Sequence, residues 1–235
     1  MKSKKRVGII AAMQLELDGF LAHLKNRKTV SFGKTDYHTG SIGGCELALM
    51  RCGIGKVNAA VGTTLLIDKL KPDIIINTGV AGGFAKNLEI GDIVVSTEVG
   101  HHDADVTVFK YLHGQIPDMP PTFPADAALV ELALSSFPRE SGQSVHKGII
   151  VSGDSFIHSD HQIDHIQRNF PNIAAVEMEG SAIAQTCYLF NVPFVVIRSI
   201  SDLVFKDQSH DDYQGYKQFA ADISVKLVMN LIASL

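Results

Sequence analysis

The chain has 235 residues, 46% of them hydrophobic and 20% charged, with a formal net charge of −4. That length accommodates one large domain or two small ones around a substantial core, and the ordinary apolar fraction excludes disorder. The faint acidity argues against a surface built for nucleic-acid phosphates, no apolar run is long enough to cross a membrane, and the first residues carry no secretory signal. Cys45, Cys52 and Cys187 fall in no paired motif. They suit a reducing cytoplasm and read as packing residues.

Short apolar runs bounded by Gly, Asn, Asp or Ser recur at residues 7–12, 45–50, 74–76, 93–95, 148–151 and 194–200. They lack polar alternation, which is the pattern of strands buried on both faces. Residues 30–43, rich in Gly, Thr and polar side chains, read as a hairpin. Helical spacing marks residues 56–70, 125–137 and 211–235. In the first, Val57, Ala60, Val61, Thr64, Leu65 and Asp68 share a face; in the last, Tyr216, Phe219, Ile223, Leu227 and Leu231 do. Alternating strands and helices predict an α/β fold, with a central mixed, mostly parallel β-sheet flanked by helices. Residues 101–124 interrupt this pattern with Pro117, Pro120, Pro121 and Pro124. A loop this long inside a domain is usually functional, and it reads as an excursion from a single domain spanning residues 1–235.

Ligands of open α/β sheets bind beyond the carboxyl ends of the strands. At those ends stand Met13-Gln-Leu-Glu16, Asn77-Thr-Gly-Val-Ala-Gly-Gly83, Glu177-Met-Glu179 and Arg198-Ser-Ile-Ser-Asp202. Carboxylates at an apolar mouth have raised pKa values, which suits proton transfer near neutral pH. Each piece also has a plainer reading. Glu16 could be an exposed residue of a first helical turn, Glu177 and Glu179 a solvated strand edge, and Asp202 an N-cap. Arg198, inside Phe-Val-Val-Ile-Arg-Ser-Ile, requires a partner if buried.

The turn Gly53-Ile-Gly-Lys56 could cradle an anion at a helix start, but it lacks the Walker and G-x-G-x-x-G patterns. Nicotinamide binding is disfavoured. His158, His161 and His165, with Asp160 and Asp164, could share a helical face, as could His101-His102-Asp103 a loop. Neither set has a recognised ligand spacing, so no metal is expected.

These motifs in order resemble the bacterial 5'-methylthioadenosine/S-adenosylhomocysteine nucleosidases of the nucleoside phosphorylase superfamily. The resemblance rests on Gly8-Ile-Ile-Ala-Ala-Met-Gln-Leu-Glu16, Gly53-Ile-Gly-Lys-Val57, Ile75-Ile-Asn-Thr-Gly79 and Ala81-Gly-Gly83. It extends through His102-Asp-Ala-Asp-Val-Thr107, Val151-Ser-Gly-Asp-Ser-Phe-Ile157, Val176-Glu-Met-Glu179 and Arg198-Ser-Ile-Ser-Asp202. It implies a nucleoside phosphorylase-like three-layer sandwich and hydrolysis of the N-glycosidic bond of methylthioadenosine and adenosylhomocysteine, with 5'-deoxyadenosine a further substrate. No cofactor is implied.

By the same resemblance Asp202, steadied by Ser201, protonates the departing adenine. Glu16 activates water with help from Arg198, and Glu179 binds the ribose hydroxyls. Met13 and Met178 pack on the ribose, Phe156 stacks on adenine, the Ile157 backbone reads its edge, and Ile54, Val80 and Tyr213 complete the lining. The proline-rich excursion implies a homodimer, with Val106, Phe109 and Pro117 entering the partner's pocket and Tyr111 a weaker candidate beside them. Departures from the family pattern are Val80 for Ser, Tyr213 for Phe, Lys110 for Gly, His113 for Tyr and Gly180 for Ala. A phosphorylase, a futalosine-type nucleosidase and a non-catalytic nucleoside-binding protein are the alternatives. Glu16 and Lys56 stand where a phosphorylase needs an arginine cradle, which favours water as nucleophile.

Overall fold

Residues 5–137, 142–206 and 209–235 are described by a computed structural model. Strands β1 (Arg6–Ala11), β4 (Cys45–Arg51), β5 (Ile74–Gly83) and β10 (Phe194–Leu203) run parallel in the order β4-β1-β5-β10. β2 (Lys25–Phe32) and β3 (Thr35–Ile42) form the expected hairpin and extend the β4 edge antiparallel. On the other side lie β6 (Ile93–His101), β8 (Val145–Ser152) and β9 (Ile173–Glu177), with the short β7 (Phe123–Pro124) on β6. β10 pairs with both β5 and β6, so the path β5-β9-β8-β6-β10 closes on itself. The sheet is mixed, as its apolar runs predict.

Adjacent residues on these strands enter opposite cores. Ile10, Ile75, Val94 and Val196 face one cluster, while Ile9, Ile74, Ile76, Ile93, Val95, Val195 and Ile197 face another. Both sheet faces are therefore covered, which explains the uninterrupted apolar runs. On the first face lie α2 (Lys56–Leu70) and α5 (Gly180–Phe190). On the second lie α1 (Gln14–Leu21), α3 (Ala127–Ser135) and α6 (Ser209–Ala233). Together with α4 (Asp160–Asn169), these helices complete the single α/β layered domain. Local chemistry sets their ends. Ser159 and Gln162 form a capping box on α4, the Asp126 carboxylate accepts the Leu129 amide at α3, and Lys71 and Asn191 close α2 and α5 in left-handed conformations.

Several sequence expectations need correction. β5 and β10 do not stop at Ile76 and Ile200, and they carry Asn77, Gly79 and Arg198 within the sheet. α2 buries Ala59, Gly62, Thr63, Leu66 and Ile67, turning Val57 and Val61 outward, opposite to the face its apolar spacing suggests. The small residues win because they admit close packing: a Cβ on Gly62 would stand 2.8 Å from Met50 Cε. In α6, Leu227 and Leu231 are inside, but Tyr216 and Phe219 are exposed, and Ala220, Ala221 and Ser224 take the buried stripe. All three cysteines are free and buried, as packing residues should be. No described helix is long and apolar enough to cross a membrane.

Truncating Leu66, fully buried on the revised face of α2, is expected to cost about 2–5 kcal/mol. Asp68→Asn, on the face that spacing alone would bury, is expected to leave the unfolding midpoint nearly unchanged. Urea unfolding of the two variants distinguishes the faces.

Candidate active site

The continued strands bring the polar groups together. β1 ends at Ala11; two residues on, Met13 caps α1 in an extended conformation, and Glu16 follows in the first turn. Its carboxylate folds back rather than facing solvent. Oε2 accepts the amides of Ala12 at 2.9 Å and Met13 at 2.8 Å, and Oε1 accepts the Val80 amide at 3.1 Å. Glu16 is 1% exposed, which excludes the surface reading. Burial raises its pKa above the ordinary carboxylate value, opposed by Arg198 and the three amides.

Arg198 lies opposite Gly79 in the parallel β5–β10 register. A Cβ on Gly79 would stand 2.2 Å from Arg198 Nη1 and 2.6 Å from Glu16 Oε1. Only glycine leaves room for both groups. Arg198 is 1% exposed; Nη2 donates to Asn77 Oδ1 at 2.6 Å and to Glu177 Oε2, and stands 3.9 Å from Glu179 Oε2. Glu177 also accepts Ser152 Oγ–H and the amides of Glu179 and Gly180.

Glu179, at the N-terminus of α5, accepts the Gly55 amide at 2.8 Å. Gly55 has φ of 97°, a left-handed conformation that favours glycine, and it starts α2. The Lys56 amide binds Asp154 Oδ1 at 2.8 Å, and its ammonium meets Asp103 Oδ1 at 2.5 Å. The Gly53-Ile-Gly-Lys56 anion cradle is therefore occupied by the protein's own carboxylates. Burial and the neighbouring Glu177 push the Glu179 carboxyl up to about 8, despite Arg198 and the Gly55 amide. Glu179 therefore holds a proton more tightly than an exposed carboxyl does.

Asp202 follows a register shift near the end of β10 and is buried; Ser201 Oγ donates to its Oδ1 at 2.8 Å. A cleft of about 490 Å³ joins Asp202 and Ser201 to Glu16, Glu177 and Glu179, walled by Met13, Ile54, Val80, Phe156, Met178 and Tyr213. Tyr213 donates its hydroxyl to Met13 Sδ at 3.5 Å and meets Phe156 edge-on at 5.6 Å between centroids. Ile157 lines a smaller adjoining space with Phe156 and Asp202. Arg198 lies behind the wall rather than in it. Val106, Phe109 and Pro117 do not line this cleft; they sit on the proline-rich excursion of residues 101–124, here termed the lid, where Phe109 is 72% exposed.

Glu177, Asn77 and Ser152 were absent from the residues singled out as site groups. The signal for Glu177 was available: a buried Arg198 demands an acid, and Glu177 shares the strand end with Glu179. The histidines divide differently. His165 meets the lid's His113 edge-on, His158 stacks loosely on Phe156, and His101 is held by Ser181 and Gln185. Among the described residues no group of three or more His, Cys, Asp or Glu could hold a metal ion.

A carboxyl with a raised folded-state pKa binds its proton more tightly in the folded protein, so its contribution to stability is lost as pH rises through that value. Stability is therefore expected to fall between about pH 5 and about pH 8 through Glu179. Glu179→Gln should remove that component, seen as a flatter pH dependence of the unfolding free energy.

A phosphorylase superfamily model matches residues 6–233. A 5'-methylthioadenosine/S-adenosylhomocysteine nucleosidase of Maridesulfovibrio salexigens is 55% identical over 98% of this chain and 100% of its own length. One from Desulfotalea psychrophila is 54% identical over 98% of each chain. The solved structure of the Neisseria meningitidis nucleosidase, in complex with methylthio-immucillin-A, superposes with a TM-score of 0.95 at 42% identity, covering 98% of this chain and 100% of that one. The chain belongs to the phosphorylase superfamily and, within it, to the 5'-methylthioadenosine/S-adenosylhomocysteine nucleosidase family.

Proposed function

We propose that the protein hydrolyses the N-glycosidic bond of 5'-methylthioadenosine and S-adenosylhomocysteine, releasing adenine and the 5-substituted ribose. The observation that carries this reading is the polarity of the cleft. An acid held by a serine, Asp202, shares one cleft with the buried carboxyls of Glu16 and Glu179 among apolar side chains. Breaking C1'–N9 sends the bonding electrons into adenine, a poor anionic leaving group, so Asp202 protonates N7 as the bond lengthens. The ribosyl group left behind has oxocarbenium character. Water adds at C1' and gives its proton to Glu16, whose burial raises its proton affinity above that of an exposed carboxylate and so makes it a stronger base. Glu179 receives the ribose hydroxyls, and ionisation there adds negative charge beside the developing cation. Phe156 offers a stacking face to the purine, with Met13 and Met178 against the sugar.

The same geometry supports water over phosphate. The Gly55 and Lys56 amides are taken by Glu179 and Asp154, and the Lys56 ammonium by Asp103. A phosphate dianion would meet acids rather than free donors. The Val80 side chain supplies no hydroxyl, but its backbone amide holds Glu16, so the departure from serine spares the base.

The outward apolar residues support a homodimer. Val57 and Val61 of α2, with Ile54 at the cleft edge, and Val108, Phe109 and Leu112 of the lid are all exposed in the single chain. A second copy would cover them and bring Val106, Phe109 and Pro117 to the open side of its partner's cleft, over the 5'-substituent.

Incubation with methylthioadenosine in phosphate-free buffer is expected to release adenine; a phosphate requirement would transfer the protein to the phosphorylases. Asp202→Asn is expected to lower kcat by about 10²-fold or more while nucleoside binding persists. Initial rates on methylthioadenosine, adenosylhomocysteine, 5'-deoxyadenosine and a futalosine-type nucleoside rank the substrates. A dominant futalosine rate would overturn the assignment. Sedimentation of Phe109→Asp is expected to yield monomers where the parent chain sediments as a dimer.

A further inference from the structure

Glu177 has no part in the chemistry above, yet it is the most heavily bonded acid in the site. Its carboxylate takes the Ser152 hydroxyl, the Glu179 amide at 3.0 Å, the Gly180 amide at 2.8 Å and the Arg198 guanidinium. Ser152 Oγ in turn accepts the Ser181 amide at 2.7 Å, and Ser181 Oγ lies 2.9 Å from His101 Nδ1. Every member of this chain is buried. Gly180 fits the arrangement: a Cβ there would stand 3.0 Å from Glu177 Oε1.

The consequence concerns the one cation of the site. Glu16, Glu177 and Glu179 surround Arg198, and all three favour its charged form. Its Nη2 bonds to Glu177 and Asn77, with only a longer ion pair of 3.9 Å to Glu179 and none to Glu16. We propose that Glu177 is a positioning residue that holds Arg198 behind the cleft wall, draws it away from closer pairing with Glu16 and Glu179, and thereby sets the pH range of hydrolysis. The raised proton affinities of Glu16 and Glu179 come first from burial; Glu177 adds repulsion at Glu179, and Arg198 opposes the rise at both. The other titratable groups facing the cluster are Cys52 after β4, His101 at the end of β6 and His102 after it, Asp202 on β10 and Tyr213 on α6. All of them are retained in the variants below.

This inference rests on the hydrolytic reading of the site, and adenine release by the parent protein tests that reading separately. The decisive experiment is the pH profile of kcat/KM for methylthioadenosine in Glu177→Gln, which keeps the shape but loses the charge. Freed of Glu177, Arg198 turns to the working acids and lowers their pKa values. The acid limb should move down by about one unit, roughly a tenfold gain in relative activity one unit below the parent limb, while kcat at the plateau falls. Glu177→Asp, which restores the charge, should return the limb to its parent position at reduced rate. Ser152→Ala, which loosens Glu177 without removing it, should shift the limb in the same direction by less, and serves if Glu177→Gln fails to fold. A merely structural Glu177 would lower the melting temperature and leave the limb in place. An unmoved or upward-moving limb in Glu177→Gln, or in Ser152→Ala where the first does not fold, overturns the proposal.

Discussion

Arg198 is a full positive charge with almost no access to water, and the rest of the site follows from the need to satisfy it. A guanidinium removed from solvent is costly unless charged partners and hydrogen bonds replace hydration. Here the replacement exceeds a simple pair: Glu177 and Asn77 bond to it, and Glu16 and Glu179 stand around it. Burial, joined at Glu179 by the charge of Glu177, raises the proton affinity of Glu16 and Glu179, and Arg198 opposes the rise at both. Proton affinity that would be a defect in a purely structural ion cluster is useful to a hydrolase, which needs a base near neutral pH.

The closed path of strands makes this crowding possible. β10 lies beside β5 with Arg198 opposite Gly79, so a long charged side chain occupies space that an ordinary residue would fill. β9 delivers Glu177 and, two residues on, Glu179, while the start of α2 turns the Gly55 amide toward the latter. Helix starts attract anions. In this chain the anions at that start are side chains, which both fastens the acids and withholds the position from phosphate. Fold and nucleophile choice are thus coupled through the same backbone amides.

Much of this was legible in the sequence, and the limits have physical causes. The strands declared themselves because burial on both faces removes polar alternation. The hairpin after α1 was equally plain. The buried face of α2 was not, because Ala59, Gly62 and Thr63 pack closely while the more hydrophobic Val57 and Val61 face outward. Hydrophobicity reports a wish to leave water but not which neighbour provides the cover; in the proposed dimer a second copy of the chain would cover that face. At the site, Glu16, Glu179, Arg198 and Asp202 were identifiable from motif resemblance, and the need of Arg198 for a partner from burial alone. Which acid meets that need depends on where β9 sets Glu177 against β10, so Glu177 was legible as a strand-end acid but its pairing with Arg198 only from the structure. The raised proton affinity of Glu179 likewise depends on its burial and its distances to Glu177 and Arg198.

The central claim is that water, activated at Glu16, attacks the carbon that adenine leaves. The most direct measurement is single-turnover reaction with methylthioadenosine in ¹⁸O-enriched water containing phosphate, followed by mass analysis of the sugar. Hydrolysis predicts free methylthioribose carrying the label at C1, with adenine released in equal amount. Unlabelled sugar 1-phosphate, or bound nucleoside recovered intact, would contradict it.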